Sequence, residues 1–289
     1  MTKIKVSELF YSLQGEGYHV GVPSVFLRTF GCNFTCGGFG MPAGEKSTER
    51  DTIAFAHKNT PYANYKDLPL VHTGCDSYAS WDPRFKDLSP VLTIPAIVDE
   101  MQRLLPRGRF GRDKHLIITG GEPLLGWQKA YPALFDEIRE RDMGLEHVTF
   151  ETNGTQELSD EFMEVLSDEA LSGGLTVTFS ISAKLPNSSG EKWKDAIKPD
   201  VVVKYTDVPF SICYFKFVVS EQADIDEVNR AVQAYKDAEV DIPVYLMPVG
   251  GTNQTYELNE RNVADFCRDN GYRFSPRIQV PLYKNAWGT

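Results

Sequence analysis

Short runs of β-branched and aromatic residues recur along the chain at residues 24–30, 115–119, 147–152, 175–183, 200–204, 214–219 and 243–248, and each reads as a strand. Helical spacing appears between several of them. Residues 95–105 put Ile97, Met101, Leu104 and Leu105 on one face, with a proline in the first turn. Residues 131–143 and 224–238 repeat the pattern, and 259–270 stop at Gly271, a good helix terminator. Alternating strands and helices of this kind predict an α/β fold with mainly parallel strands, as a sheet or a barrel. One stretch breaks the rhythm. Residues 37–74 are rich in Gly, Pro, Asn, Lys and Thr, and only a short helix near 52–57 is expected there.

Composition narrows the function classes. Hydrophobic residues make up 42% of the 289, an ordinary globular share that excludes a disordered or collagen-like chain. The formal charge of −10 argues against broad electrostatic binding to nucleic acid. No apolar run approaches the ~20 residues of a bilayer span, and the first residues lack a signal-peptide pattern. A cytoplasmic protein is expected, with no direct nucleic-acid partner and no membrane contact. The sequence holds no HExxH, GxSxG, P-loop or GxGxxG after the first strand, so zinc hydrolysis, serine hydrolysis, nucleotide hydrolysis and nicotinamide chemistry lack support.

Five cysteines are too few, and odd in number, for a disulfide scaffold. Cys32 and Cys36 lie in a Gly-Cys-Asn-Phe-Thr-Cys turn after the strand SVFLRTF, and Cys75 follows in Gly-Cys-Asp-Ser. Thiols so placed are either packed in the interior or ligate a thiophilic centre. Three without an obvious fourth ligand would leave one coordination position open, as a reactive centre needs. Cys213 lies beside the β-rich run YFKFVV and Cys267 shares a helical face with Val263 and Phe266, and both read as packing thiols. Thr119-Gly120-Gly121-Glu122-Pro123 ends an apolar strand with exposed backbone N–H groups beside a carboxylate, or simply turns the chain into a helix. Strand ends at Glu151-Thr152-Asn153-Gly154, Ser182-Ala183-Lys184 and Met247-Pro248-Val249-Gly250-Gly251 would share one face of a parallel barrel. Near the start, Leu13, Gln14, Gly15 and Glu16 precede Arg28, whose guanidinium suits a carboxylate ligand.

Together these elements resemble the 7-carboxy-7-deazaguanine synthase family of radical S-adenosylmethionine (SAM) enzymes. The resemblance rests on FYSLQGEG, GVPSVFLRTFGCN, CDSYASW, ITGGEP, ETNGT, SAKL and a terminal WGT, and it spans the chain. It implies a partial (β/α) barrel of the radical SAM type, a single domain over residues 1–289 with a cluster-loop insertion at about 37–74. It implies a lyase that converts 6-carboxy-5,6,7,8-tetrahydropterin to 7-carboxy-7-deazaguanine with loss of ammonia, on the way to queuosine-type bases. Cys32, Cys36 and Cys75 would hold a [4Fe–4S] cluster, and Ser77 would ligate Mg²⁺ where the family has Thr. Gly74, Cys75, Asp76, Gly121, Glu122, Asn153, Ser182, Ala183, Lys184 and the Met247, Pro248, Val249, Gly250 run would bind SAM. Leu13, Gln14, Gly15, Glu16, Arg28, Thr119 and Thr289 would bind the pterin. No side chain is expected to be catalytic in its own right, because the radical comes from cluster-bound SAM. An electron donor such as flavodoxin or ferredoxin and a homodimeric state are also implied.

The chain departs from the family pattern in three places. Phe39 stands where the family commonly has its third cysteine, and thirty-eight residues separate Cys36 from Cys75. Loop closure grows costlier by only about 0.6 kcal/mol per doubling of length, so the cluster is expected to survive. Gly74 replaces an aromatic residue, and Met247 and Gln279 stand where some relatives have Gln and His. The alternatives are a radical SAM enzyme with another substrate, and a non-catalytic metal-bound interaction protein.

Overall fold

In the computed structural model, which describes residues 2–289, β1 (Lys3–Leu13) pairs antiparallel with both β2 (Pro23–Thr29) and β3 (Val91–Thr93). From β2 onward the strands run parallel: β4 (His115–Gly120), β5 (His147–Thr152), β6 (Thr176–Ile181), β7 (Ile212–Val219), β8 (Val244–Pro248) and β9 (Arg273–Phe274). The order β3-β1-β2-β4-β5-β6-β7-β8-β9 leaves β3 and β9 as edges, so the curved sheet is a barrel left open. β1 escapes the sequence reading because a bulge between Val6 and Glu8 interrupts its alternation.

The helices are α1 (Glu49–Asn59), α2 (Ile94–Leu104), α3 (Tyr131–Glu140), α4 (Asp160–Leu171), single turns α5 (Pro186–Ser189) and α6 (Trp193–Ala196), then α7 (Pro199–Thr206), α8 (Gln222–Asp237), α9 (Asn253–Asn270) and the short α10 (Gln279–Tyr283). The expected strand at 200–204 is a helix, α7. Pro199 opens it, Asp200 complements its N-terminal dipole, and Val201, Val202 and Tyr205 bury as one helical stripe. A β-branched run marks burial as readily as strand, and here burial against the barrel decides. α9 starts earlier than the predicted residue 259, because Thr252 caps it by accepting from the Thr255 amide.

Side chains alternate across each strand. Leu116, Ile118, Val148, Phe150, Val177 and Phe179 point outward and form the main core with α2, α3, α4 and α8. Residues of opposite parity face the barrel interior. On one side Phe10, Phe26 and Ile117 form a small apolar plug, with Phe10 and Phe26 stacked at 4.8 Å.

The 37–74 stretch does not trail as a loop. Ile53 and Ala54 of α1 pack with Tyr65, Leu68 and Val71, and with Tyr78, Ala79 and Phe85 beyond it, into a satellite core. Trp287 completes it: its ring meets Tyr65 edge-on at 4.9 Å, and its indole N–H donates to Leu68 O at 2.7 Å.

Candidate active site

The C-terminal ends of the parallel strands surround a cavity of about 240 Å³. Cys32, Cys36 and Cys75 line one wall, gathered in an apolar patch with Phe34, Phe39 and Ala196. Each is set by its own local geometry. After β2 the chain turns at Gly31, whose carbonyl accepts from the Glu122 amide at 2.7 Å. A Cβ on Gly121 would lie 2.4 Å from that carbonyl and 2.7 Å from Cys32 Cβ, so only glycine permits the approach. Glu191 accepts from the Thr35 and Cys36 amides at 2.9 and 2.8 Å, fixing the loop in which Cys36 takes a positive φ of 46°. Cys75 accepts from the Trp81 indole at 3.3 Å. The approach to it is tied by Glu49, which accepts from the His72 and Thr73 amides at 2.8 and 3.0 Å. The insertion therefore holds the third thiol in place.

Burial raises all three thiols, to about 12 for Cys32 and well above the ordinary range for Cys36, and the Cys75 thiolate further disfavours ionisation of the other two. A cation of high charge would reverse that preference, and soft thiolates in an apolar setting fit an iron–sulfur centre. Among the described residues no three His, Cys, Asp or Glu side chains converge on a point that could hold a single metal ion.

The facing wall is polar and densely charged, with Arg28, Lys216 and Arg277 set among Glu8, Glu16, Asp76 and Glu151. Arg28 donates from Nε to Glu8 at 2.9 Å and from Nη1 to Ser77 Oγ at 3.2 Å. Gln14 donates to Glu151 at 3.0 Å. Glu16 is the hub of a buried network: it accepts from Lys216 at 2.6 Å, Arg277 at 3.1 Å and Gln279 at 2.7 Å. Both cations hold its carboxyl far below the usual range despite burial. Arg277 also reaches Asp76 at 2.6 Å and the Gly250 carbonyl, joining the cysteine loop to β8.

The predicted residues gather here with few exceptions. Leu13, Gln14, Gly15, Glu16, Arg28, Thr119 and Thr289 line the cavity, as do Gly74, Asp76, Ser77, Gly121, Asn153, Ser182, Lys184, Met247, Val249 and Gly250. Glu122, Ala183 and Pro248 stay behind the lining. The Glu122 carboxylate is fully buried and accepts from the Leu124 and Asn153 amides and the Thr152 hydroxyl at 3.0, 2.6 and 2.8 Å, so it braces two strand ends. Gly74 has φ +79°, which explains why an aromatic residue is absent there.

Sequence reading missed Lys216 and Arg277. Lys216 could have been found, being the one cation in the apolar strand ICYFKFVV. Arg277 carries no such signal, because only the fold brings it across to Glu16.

No protein-family model matches the chain. It is 30% identical to the 7-carboxy-7-deazaguanine synthase of Halobacterium salinarum, over 98% of this chain and 91% of that protein. It is 26% identical to the synthase of Pyrobaculum aerophilum, over 99% and 97%. The crystal structure of QueE from Escherichia coli superposes with a TM-score of 0.52 at 19% identity, covering 94% of this chain and 93% of that one, a likeness of fold.

Proposed function

The chain belongs to the 7-carboxy-7-deazaguanine synthase family of radical SAM enzymes and acts in 7-deazaguanine biosynthesis, and on that premise we propose how its own residues serve the reaction. The substrate is 6-carboxy-5,6,7,8-tetrahydropterin, and ammonia leaves as the ring contracts to 7-carboxy-7-deazaguanine. The observation that carries this reading is the cavity itself, with three cysteines on one wall and Arg28, Gln14 and the Glu16 network on the other. Cys32, Cys36 and Cys75 would hold a [4Fe–4S] cluster. When bound, the cluster and SAM supply the hydrogen-abstracting radical, and the protein supplies position and exclusion of water.

Arg28, held in place by its ion pair with Glu8, would pair with a substrate carboxylate. Gln14 orients its amide by donating to Glu151, so its oxygen faces the Glu16 amide and the cavity edge. Lys184, Asn153 and Ser182 would contact SAM, with Gly121 allowing close backbone approach. Mg²⁺ keeps most of its water and takes few protein ligands, so the Ser77 hydroxyl together with substrate oxygens would suffice to hold it. A one-electron donor such as flavodoxin or ferredoxin, a homodimeric state and a cytoplasmic setting complete the proposal. Among the described residues, no helix is long and apolar enough to cross a membrane.

The test is anaerobic reconstitution with iron and sulfide, then incubation with SAM, Mg²⁺, reductant and the pterin, followed by mass spectrometry. Carboxydeazaguanine is the expected product. Cys75→Ala should lose iron and activity, whereas Cys267→Ser should keep both. Iron retained in Cys75→Ala would overturn the ligand set, and SAM cleavage without pterin conversion would point to another substrate.

A further inference from the structure

Below the active-site cavity the barrel interior is divided. Bulky aliphatic residues ordinarily fill such an interior. Here Phe10, Phe26 and Ile117 do so on one side, while on β7 the buried Tyr214 lies beside Ser180 with its ring against Tyr245. Along β5 and β6 the inward positions are polar at every layer. Thr149 lies opposite Thr178, and Glu151 opposite Ser180, in the parallel register. Glu151 lines the cavity floor, whereas Thr149 and Ser180 lie below it. At the far end, His115 and His147 stack at 4.3 Å, and His19 meets His115 edge-on at 4.7 Å and bonds Thr178 Oγ1 at 3.2 Å.

Several of these groups are buried without a partner: Thr149 Oγ1, Ser180 Oγ, His115 Nδ1 and His147 Nδ1. Thr149 and Ser180 are 1% and 0% exposed. One orphaned hydroxyl is unremarkable, but four polar atoms on three adjacent strands, all facing one interior, are not. Each is costly to leave dry, and buried water is what usually satisfies such groups.

We propose that this polar side of the barrel carries a file of ordered water that exchanges protons between Glu151 at the cavity floor and the histidine-lined base. The inference rests on reading the cavity as the active site. Substrate and SAM fill the cavity from the cysteine side, so a second polar route gives the reacting groups contact with bulk protons while the site stays closed. Each transfer passes one proton from oxygen to oxygen, or between oxygen and imidazole. A matching proton leaves or enters bulk at the base, and no oxidant or reductant is involved. His19 and His115 suit the port because burial and neighbouring imidazoles hold them near 4 and 3, neutral at working pH and able to donate and accept. Thr149, Ser180 and Thr178 are positioning residues in this scheme, since none lines the cavity.

Two measurements test it. A high-resolution crystal structure should show water bridging Thr149 Oγ1, Ser180 Oγ and the imidazole nitrogens, and a dry interior would overturn the file. In the reconstituted holoenzyme, Thr149→Val with Ser180→Ala should slow product formation at least roughly tenfold and change the proton inventory in mixed H₂O and D₂O. SAM affinity, iron content and thermal stability should hold, and Thr149→Ser should restore the rate. Wild-type turnover and an unchanged proton inventory in the double variant would overturn the proton role. A wild-type protein that binds SAM but makes no product would instead contradict the assigned reaction, and the water sites would still decide the file.

Discussion

Glu16 shows how a single side chain acquires its role. It was expected to touch the pterin, and it does line the cavity, but its oxygens are taken by Lys216, Arg277 and Gln279. All three charged side chains are nearly enclosed, at 14%, 6% and 7% exposure. Removing one member of such a set leaves uncompensated buried charge, which costs about 3–5 kcal/mol. Glu16→Gln should therefore lower the unfolding free energy from urea titration by an amount in that range. The pH dependence follows from the depressed carboxyl. Its contribution is present above the unfolded carboxylate value near 4.5 and fades only as pH falls through the folded value. The gap between wild type and variant should thus stay constant from pH 5 to 8. A gap that closes within that window would show that another group carries the effect.

The insertion is an element with a definable task. Its satellite core seats Trp287, and residues 285–289 form part of the cavity wall. Glu49, at the start of α1, reaches across to the amides just before Cys75. So a segment without strand or helix periodicity over most of its length connects the third thiol to the chain's last described residues. Trp287→Ala removes an aromatic ring held between Tyr65 and Tyr78 and the bond to Leu68, at a cost of about 3 kcal/mol. Limited proteolysis should then cut within 37–74 faster, and the Michaelis constant for the pterin should rise, while iron content stays the same. Unchanged cleavage would mean that the satellite core stands without the C-terminal strap.

The molecule as a whole has two dissimilar ends. Cysteines and cations gather where the parallel strands finish, and three histidines gather where they begin. Burial keeps His19 and His115 well below the ordinary imidazole value of 6.5, at about 4 and 3. A neutral buried histidine stabilises the fold fully above the unfolded value, and that stability is lost as pH falls toward the folded one. Global stability should accordingly decline from about pH 6.5 downward. His115→Gln should flatten the slope between pH 6.5 and 4 in a series of urea titrations. A variant slope as steep as wild type would place the acid sensitivity elsewhere.

Strand and helix alternation, the three cysteines and the GGEP, ETNG and SAK strand ends were legible from the chain, because local spacing carries them. A parallel β/α order brings strand ends together whatever the details, so Asn153, Ser182 and Met247 could be assigned to one face before any packing was known, whereas Arg28 and Thr119 came only through the family resemblance. What local pattern could not specify is which polar group looks into the cavity and which looks away. Glu122 faces inward to the backbone of neighbouring strands, and α7 is helical despite a β-branched run, because burial against distant partners outweighs propensity. Arg277 meets Glu16 from the other end of the chain, and Trp287 meets Leu68 across more than two hundred residues of sequence. Contacts at such separation leave no periodicity in the sequence, and only the closed packing of the tertiary structure creates them.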